Sequence, residues 1–255
     1  MTAQDFNNAV RVQEIRRFLD RHGNLFAGKD LLEIGSGGGA QLQVLASVCR
    51  SVVGIDIAVN NDSNRLIQVQ QYDGRHIPFA DASFDVVFSS NVIEHIRDEQ
   101  AIHTEMRRVL RPGGIAVHIV PTATCRIWTL LAHHPALIKM ILTRRHRSQS
   151  RENQGSKSGN DSPVTWARWR SRLLYALAPP RHGEFGNRLT EYFLFRVRSW
   201  RRRFEAHGWR VEGTEPGGLA YTAHYLFGER IGWTARSRLS RIIGSSTVAF
   251  ILRPN

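Results

Sequence analysis

The stretch Leu31-Leu32-Glu33-Ile34-Gly35-Ser36-Gly37-Gly38-Gly39 runs from an apolar strand straight into a glycine-rich turn. Glycines at such a turn let the backbone reverse tightly and let a ligand approach it with no side chains in the way. Glu33 sits at the end of the strand. A carboxylate there repels a pyrophosphate but accepts hydrogen bonds from an ammonium group. Gly35-x-Gly37-x-x-Ala40 also satisfies the looser dinucleotide pattern, so nicotinamide chemistry stays open at this point. Asp56, 23 positions beyond Glu33, ends the run Val52-Val53-Gly54-Ile55. A carboxylate at the tip of a second strand has the reach to take both hydroxyls of a ribose, the plainer alternative being an exposed acid that caps a strand.

Groups placed this way need a scaffold that brings strand ends together, and the surrounding pattern supplies one. Val12, Ile15, Phe18 and Leu19 recur at helical spacing over residues 9–22, with Gly23 as the stop. Short apolar runs at 30–34, 51–55, 84–89 and 115–120 have the character of strands buried on both faces, separated by helical stretches at 39–48 and 98–110. This is the βαβ rhythm of an α/β, doubly wound parallel sheet. The rhythm stops after Pro121. Residues 148–163 are polar and low in complexity and are expected to form a mobile loop. Periodicity resumes near Ser199, where Trp200 and Phe204 precede Gly208, a strand is expected at 209–212, and 246–252 make a last strand. The expected organisation is a core over 1–120, an insertion and lid region over 121–198, and the end of the core sheet over 199–255, carrying a second, basic insertion at 217–244.

Five blocks in order now carry a resemblance. They are Leu-Glu-Ile-Gly-Ser-Gly-Gly-Gly at 32–39, Gly54-Ile55-Asp56, and Asp73-Gly74 followed by Ile77-Pro78-Phe79. Next come Ser83-Phe84-Asp85-Val86-Val87 leading into Asn91-Val92-Ile93-Glu94-His95, and Arg108-Val109-Leu110-Arg111-Pro112-Gly113-Gly114. Over roughly residues 29–121 the chain resembles the class I S-adenosylmethionine-dependent methyltransferases, in particular the small-molecule branch that includes quinone-biosynthesis methyltransferases. The resemblance implies a Rossmann-like, doubly wound seven-stranded sheet with an antiparallel last strand and helical lid insertions. It also implies S-adenosyl-L-methionine as cofactor. Glu33 and the loop residues Gly35, Ser36, Gly37 and Gly38 would hold the methionine end, Asp56 with Ile57 the ribose, Asp73 with Gly74 the adenine edge, and Asn91 the region of the transferring methyl. At 72–74 the chain has Tyr-Asp-Gly where the family more usually has Gly-Asp-Ala, which makes Asp73 the least secure of these positions.

Methyl transfer of this kind is an in-line displacement at a sulfonium, so alignment dominates and a base is needed only where the acceptor must lose a proton. His95, beside Glu94, is one base candidate, although a Glu-His pair at this place in the family is often structural. His182 and Glu184, in Pro-Pro-Arg-His-Gly-Glu-Phe-Gly, form a second candidate pair in the insertion expected to cover the site. His118, inside a strand, is expected to be a core histidine, and Asp81 and Asp85 to be turn and strand-edge residues.

The whole chain has 255 residues and a formal net charge of +13, and that charge is unevenly placed. Residues 1–120 hold 12 basic and 14 acidic side chains, whereas residues 121–255 hold 23 and 8. A near-neutral core followed by a basic remainder points to an anionic or amphipathic acceptor met by the insertions. Two cysteines, Cys49 and Cys125, exclude a disulfide framework and a multi-cysteine zinc site and fit a cytoplasmic location. The first residues lack the pattern of a signal peptide, and the apolar run 127–142 is interrupted by His133, His134, Pro135 and Lys139, so it is too short to span a bilayer. It is compatible with peripheral contact at the inner membrane face. So is the stretch 235–243, with Leu239, Ile242 and Ile243 opposite Arg236, Arg238 and Arg241. Arg196, Arg198, Arg201, Arg202 and Arg203 offer further phosphate contacts. The expected acceptor is an acidic, phosphorylated or lipid-linked small molecule such as a glycan or glycolipid precursor. RNA, or a small aromatic, quinone or natural-product acceptor, is the alternative, and RNA is disfavoured because no recognisable RNA-binding module is present.

Overall fold

The structure is a computed structural model that describes residues 3–58, 67, 69–133, 183, 190–222 and 230–255. The elements are α1 (Ala3–His22), β1 (Asp30–Ile34), α2 (Ala40–Ala46), β2 (Ser51–Asp56), β3 (Val69–Gln71), β4 (Phe84–Ser90), α3 (Glu99–Val109) and β5 (Leu110–Pro121). Helix α4 follows over residues 123–133. Then come α5 (Thr190–Leu194), α6 (Val197–Ala206), β6 (Trp209–Pro216), α7 (Trp233–Ile243) and β7 (Thr247–Pro254).

The strands form one sheet in the order β3-β2-β1-β4-β5-β7-β6. β1 pairs in parallel with β2 and β4, and β4 with β5, whereas β7 inserts antiparallel between β5 and β6. The expected doubly wound, seven-stranded sheet with an antiparallel last strand is therefore the observed fold. Period-two alternation distributes the side chains to two cores. Leu32, Val87 and Phe250 point to the face covered by α3 and α6, where they meet Met106, Trp200 and Phe204. Leu31, Val86 and Ile251 point to the other face, under Ile15 and Phe18 of α1 and Leu45 of α2.

Most elements fall where the apolar runs put them, and the departures have local causes. β3 has three residues with Gln70 and Gln71 exposed, so it shows neither a run nor an alternation. β5 begins at Leu110, five residues before its apolar run, because Arg111-Pro112-Gly113-Gly114 is carried in extended form past a register irregularity opposite Phe84 and Val86. α1 starts at Ala3, with Phe6 buried ahead of the helix expected from residue 9. Helix α3 is capped by Asp98, whose side chain accepts the N–H of Ala101 at 3.1 Å.

His118 is a core histidine: it is buried, 2.8 Å from the Ser89 hydroxyl, and burial holds its pKa down at about 3. Asp85 accepts the N–H of Asp30 at 2.9 Å and the Arg111 guanidinium at 2.9 Å, while Asp81 accepts Arg108 at 2.8 Å, so both do structural work. The arginine cluster is partly engaged within the chain. Arg203 pairs with Glu99 and stacks on Trp200, and Arg196 lies over Tyr192 and Phe193.

Helix α7 departs from its expected split. Arg236 is buried, donating to the carbonyls of Ile231 at 3.0 Å and Ala220 at 3.2 Å, while Ile242 is 83% exposed. The reason is local: two carbonyls in an irregular segment need a donor, and a long guanidinium supplies it. The loop expected at 148–163 lies outside the described residues. Among the described residues no helix is long and apolar enough to cross a membrane.

Candidate functional site

The order of strands reverses between β1 and β4, and in open sheets of this kind ligands bind beyond the carboxyl ends of the strands at that point. The loops that follow β1, β2 and β4 meet there. Gly35 leaves β1 with φ +74°, and a Cβ placed on it would lie 2.3 Å from Cγ2 of Val92 in the loop after β4. Glycine at 35 is therefore what lets the two loops close on each other. Gly37 and Gly38, by contrast, face open space, with nothing within 4 Å of an added Cβ. A ligand can therefore approach the backbone of this part of the turn without meeting side chains of the described residues.

Two carboxylates frame that surface. Asp56, at the tip of β2, accepts the backbone N–H of Gly37 at 2.7 Å through Oδ2 and that of Ala58 at 3.1 Å through Oδ1. Each oxygen retains a second acceptor position. Glu33 is buried, with only 1% of its surface exposed, and its Oε2 has no hydrogen-bond partner. Burial first, and then the nearby Asp56 charge, push its carboxyl up to about 7 against the lowering effects of Ser36 and Arg11. A buried, unsatisfied carboxylate oxygen is costly unless a donor reaches it.

Asn91 sits at the exit of β4 with φ +53°, a left-handed conformation that asparagine tolerates better than most residues. Its N–H donates to the Ile119 carbonyl at 2.8 Å, and the chain then folds into the single turn Ile93–His95. Glu94 is buried by this turn, and burial pushes its carboxyl up to about 7. His95 is exposed over 48% of its side chain, with Nε2 3.9 Å from Glu94 Oε1. A chamber of about 280 Å³ opens here, lined by Asn7, Val10 and Arg11 of α1, by Asn91 and His95, and by Tyr221. Beneath it Glu14 of α1 is buried, accepting the Tyr221 hydroxyl at 3.2 Å and the Thr247 hydroxyl.

The sequence candidates thus gather along one edge. Glu33, Gly35, Ser36, Gly37, Gly38 and Asp56 surround the open turn. Ile57 and Gly74 approach each other at the neighbouring strand tips, where a Cβ on Gly74 would lie 3.2 Å from Ile57 Cγ2. Asp73 stands apart from the turn's chemistry: it accepts the N–H groups of Arg75 and His76 at 2.7 Å and pairs with the His76 ring at 2.8 Å. These bonds hold its carboxyl well below the usual range, with an acceptor position still left on Oδ2. His182 and Glu184 lie outside the described residues. Sequence reasoning did not single out Arg11, Glu14 or Tyr221. The available signal was Glu14 itself, an acid placed four residues from Val10 and four from Phe18 within a stripe whose other members are buried.

The fold is Rossmann-like, and residues 32–118 match the family model described as "Methyltransferase domain". That segment is about a third of the chain, and it is where the likeness to methyltransferases lies. Over 100 residues the chain is 38% identical to a protein of Mycolicibacterium smegmatis named as a probable S-adenosylmethionine-dependent methyltransferase, covering 37% of this chain and 39% of that one. It is 35% identical over 101 residues to the ubiquinone biosynthesis O-methyltransferase of Cereibacter sphaeroides, covering 36% and 41%. The match thus spans about 40% of the length of these relatives. A crystal structure from Thermotoga maritima, described as a SAM-dependent methyltransferase and possible histamine N-methyltransferase, shares the fold with a TM-score of 0.54 at 13% identity. That likeness covers 99% of this chain and 92% of the other.

Proposed function

We propose that the chain is an S-adenosylmethionine-dependent methyltransferase acting on a small molecule that carries an acidic, phosphorylated or lipid-linked group. The observation that carries the first part is Glu33. A buried carboxylate oxygen without a partner, beside a glycine turn open to solvent, suits a ligand that brings its own ammonium group. Bound S-adenosylmethionine supplies an electrophilic methyl group on a sulfonium.

The chain's own residues do the rest. Glu33 holds the ammonium, the 35–38 backbone lies against the ligand, and Asp56 uses its remaining acceptor positions for the ribose hydroxyls. Asp73 with Gly74 borders the adenine, and Asn91 borders the methionine end. His95, on the chamber wall and only half covered, takes the acceptor's proton where the attacking atom carries one. Holding donor and acceptor in line accounts for several kcal/mol of the barrier.

The acceptor class rests on the basic character of residues 121–255 and on α7, where Leu239 and Ile242 are exposed beside Arg238 and Arg241. In this reading the acceptor's acidic group stays at the basic rim while its nucleophilic atom enters the chamber. Likeness to the Cereibacter enzyme covers 36% of this chain and leaves the acceptor open.

Ultraviolet cross-linking of methyl-tritiated S-adenosylmethionine followed by peptide mapping tests the site. The expected label falls in peptides carrying residues 30–39 or 52–58, and label confined to other peptides contradicts the assignment. Sedimentation with anionic vesicles tests the lipid-linked version. Binding at low salt that weakens at physiological salt is expected, and no binding at either salt removes the membrane contact.

A further inference from the structure

Among the described residues the large apolar side chains left exposed are concentrated beyond Pro121. Apart from Ile57 they are Ile127 and Leu131 of α4, Phe193 of α5, Val197 of α6, and Leu239 and Ile242 of α7. The contacts of α4 bring them to one side of the molecule. Cys125, Arg126, Thr129, Ala132 and His133 are buried and mark the inner side of that helix, so Ile127 and Leu131, one turn apart, run along its outer side. On one flank Arg126 pairs with Glu191 of α5 at 3.1 Å, and the N–H of Ala123 donates to the Phe195 carbonyl at 3.0 Å. On the other flank the indole N–H of Trp128 donates to the Ile243 carbonyl, at the end of α7, at 3.2 Å. The apolar stripe of α4 therefore runs between α5 and α7, with exposed Phe193 and Ile242 on either side of it.

Charge on this side has one sign. Arg196, Arg198 and Arg202 are exposed at α6, and Arg238 and Arg241 are exposed on α7. Helices α4 and α7 contain no acid. The acids of α5 and α6 are Glu191, buried against Arg126, and Glu205, paired with Arg201 at 4.0 Å.

These features select the occupant. A second copy of the chain would bring the same arginines to the contact and be repelled by them. A nucleic-acid backbone answers the arginines but offers nothing to isoleucine and leucine side chains. A bilayer containing anionic lipid answers both, with charged headgroups above hydrocarbon. We propose that α4, α5, α6 and α7 form a face that docks on an anionic bilayer, its apolar side chains at the acyl boundary and its arginines among the headgroups. This inference deepens the lipid-linked reading above and rests on it. Pro121 and Cys125, at the start and on the inner side of α4, line the chamber, so the helix that rests on the bilayer is also a chamber wall. One helix diameter, about 10 Å, then separates hydrocarbon from chamber, a distance that the headgroup of a lipid-linked acceptor spans.

Sedimentation of the full chain with vesicles tests the face, using phosphatidylcholine alone and phosphatidylcholine mixed with phosphatidylglycerol. Wild type is expected to bind the mixed vesicles at least tenfold better at low salt. The double variant Leu131→Asp/Ile242→Asp is expected to lose tenfold or more of that binding, and Arg241→Gln about fivefold. Arg16→Gln removes the same charge from the exposed side of α1 and is expected to change nothing. Thermal melts and S-adenosylhomocysteine binding should be the same in all variants, because every substituted residue is exposed. Wild-type binding that the double variant and Arg241→Gln leave intact, or that Arg16→Gln weakens equally, overturns the face and leaves the lipid-linked reading standing. No binding of wild type to either vesicle overturns both. Salt-dependent retention of RNA on a filter, weakened by Arg241→Gln in a chain that ignores vesicles, assigns the arginines to nucleic acid and overturns the proposal.

Discussion

The N–H of Gly37 points at Asp56 and donates to Oδ2 at 2.7 Å, which ties the turn after β1 to the tip of β2. Asp56 is thus both a part of the binding surface and the strut that shapes the glycine turn. Loss of the side chain in Asp56→Ala removes both functions, and each hydrogen bond to a charged group is worth about 1.5–3 kcal/mol. The expected result is roughly 100-fold weaker binding of S-adenosylhomocysteine, measured by calorimetry. Asp56→Asn keeps one acceptor and is expected to lose about tenfold.

Two glycines of the same turn are expected to behave differently. Gly35→Ala places a methyl group 2.3 Å from Val92 Cγ2 at a φ of +74° and is expected to destabilise the fold by about 2–4 kcal/mol. Gly38→Ala meets nothing within 4 Å. Its Tm should remain within about 2 °C of wild type, while its affinity for S-adenosylhomocysteine falls tenfold or more. Thermal melts and calorimetry on both variants check the contrast. Equal loss of stability would mean that the turn around Gly38 is packed rather than open.

Glu33 gives cofactor binding a pH dependence. Its carboxyl titrates near 7 in the free protein, and only the ionised form pairs with an ammonium. Binding therefore releases a proton below that pH, so affinity should rise between pH 5 and 7 and level off above about 8. The slope is at most tenfold per pH unit for one group. Calorimetry in buffers of different ionisation enthalpy measures the released proton, and Glu33→Gln should abolish both the release and the slope.

Glu14 has the opposite consequence for folding. Burial, opposed by the hydroxyls of Thr247 and Tyr221, pushes its carboxyl from 4.5 up to about 7. A raised carboxyl favours the folded state while it is protonated, so this contribution is whole below pH 4.5 and is lost as the pH rises through about 7. The change amounts to about 3 kcal/mol for a shift of this size. Urea unfolding at pH 5 and pH 8 should show wild type losing stability that Glu14→Gln retains. Glu33 and Glu94 shift the same way, so the variant removes only its own share.

The parts of the molecule that were readable in the sequence are those whose signal is local. β1, β2 and β4 are apolar runs because both their faces are buried, and Glu33, the glycines and Asp56 are conspicuous because they interrupt those runs at the strand ends. β3 was silent because three residues at a sheet edge with two exposed glutamines bury too little to leave a pattern. Arg11 and Tyr221 belong to the site through tertiary packing alone, separated by more than 200 positions, and no local spacing encodes that meeting. Arg236 reads as the polar side of an amphipathic helix, yet the carbonyls of Ile231 and Ala220 draw it inward.

Calorimetric titration of the wild-type chain with S-adenosylhomocysteine and, separately, with NADH tests the central claim most directly, because one glycine turn serves either ligand. Saturable one-to-one binding of S-adenosylhomocysteine, weakened in Glu33→Gln and Asp56→Ala, together with no measurable binding of NADH, is the predicted result. Tight binding of NADH with none of S-adenosylhomocysteine would contradict it.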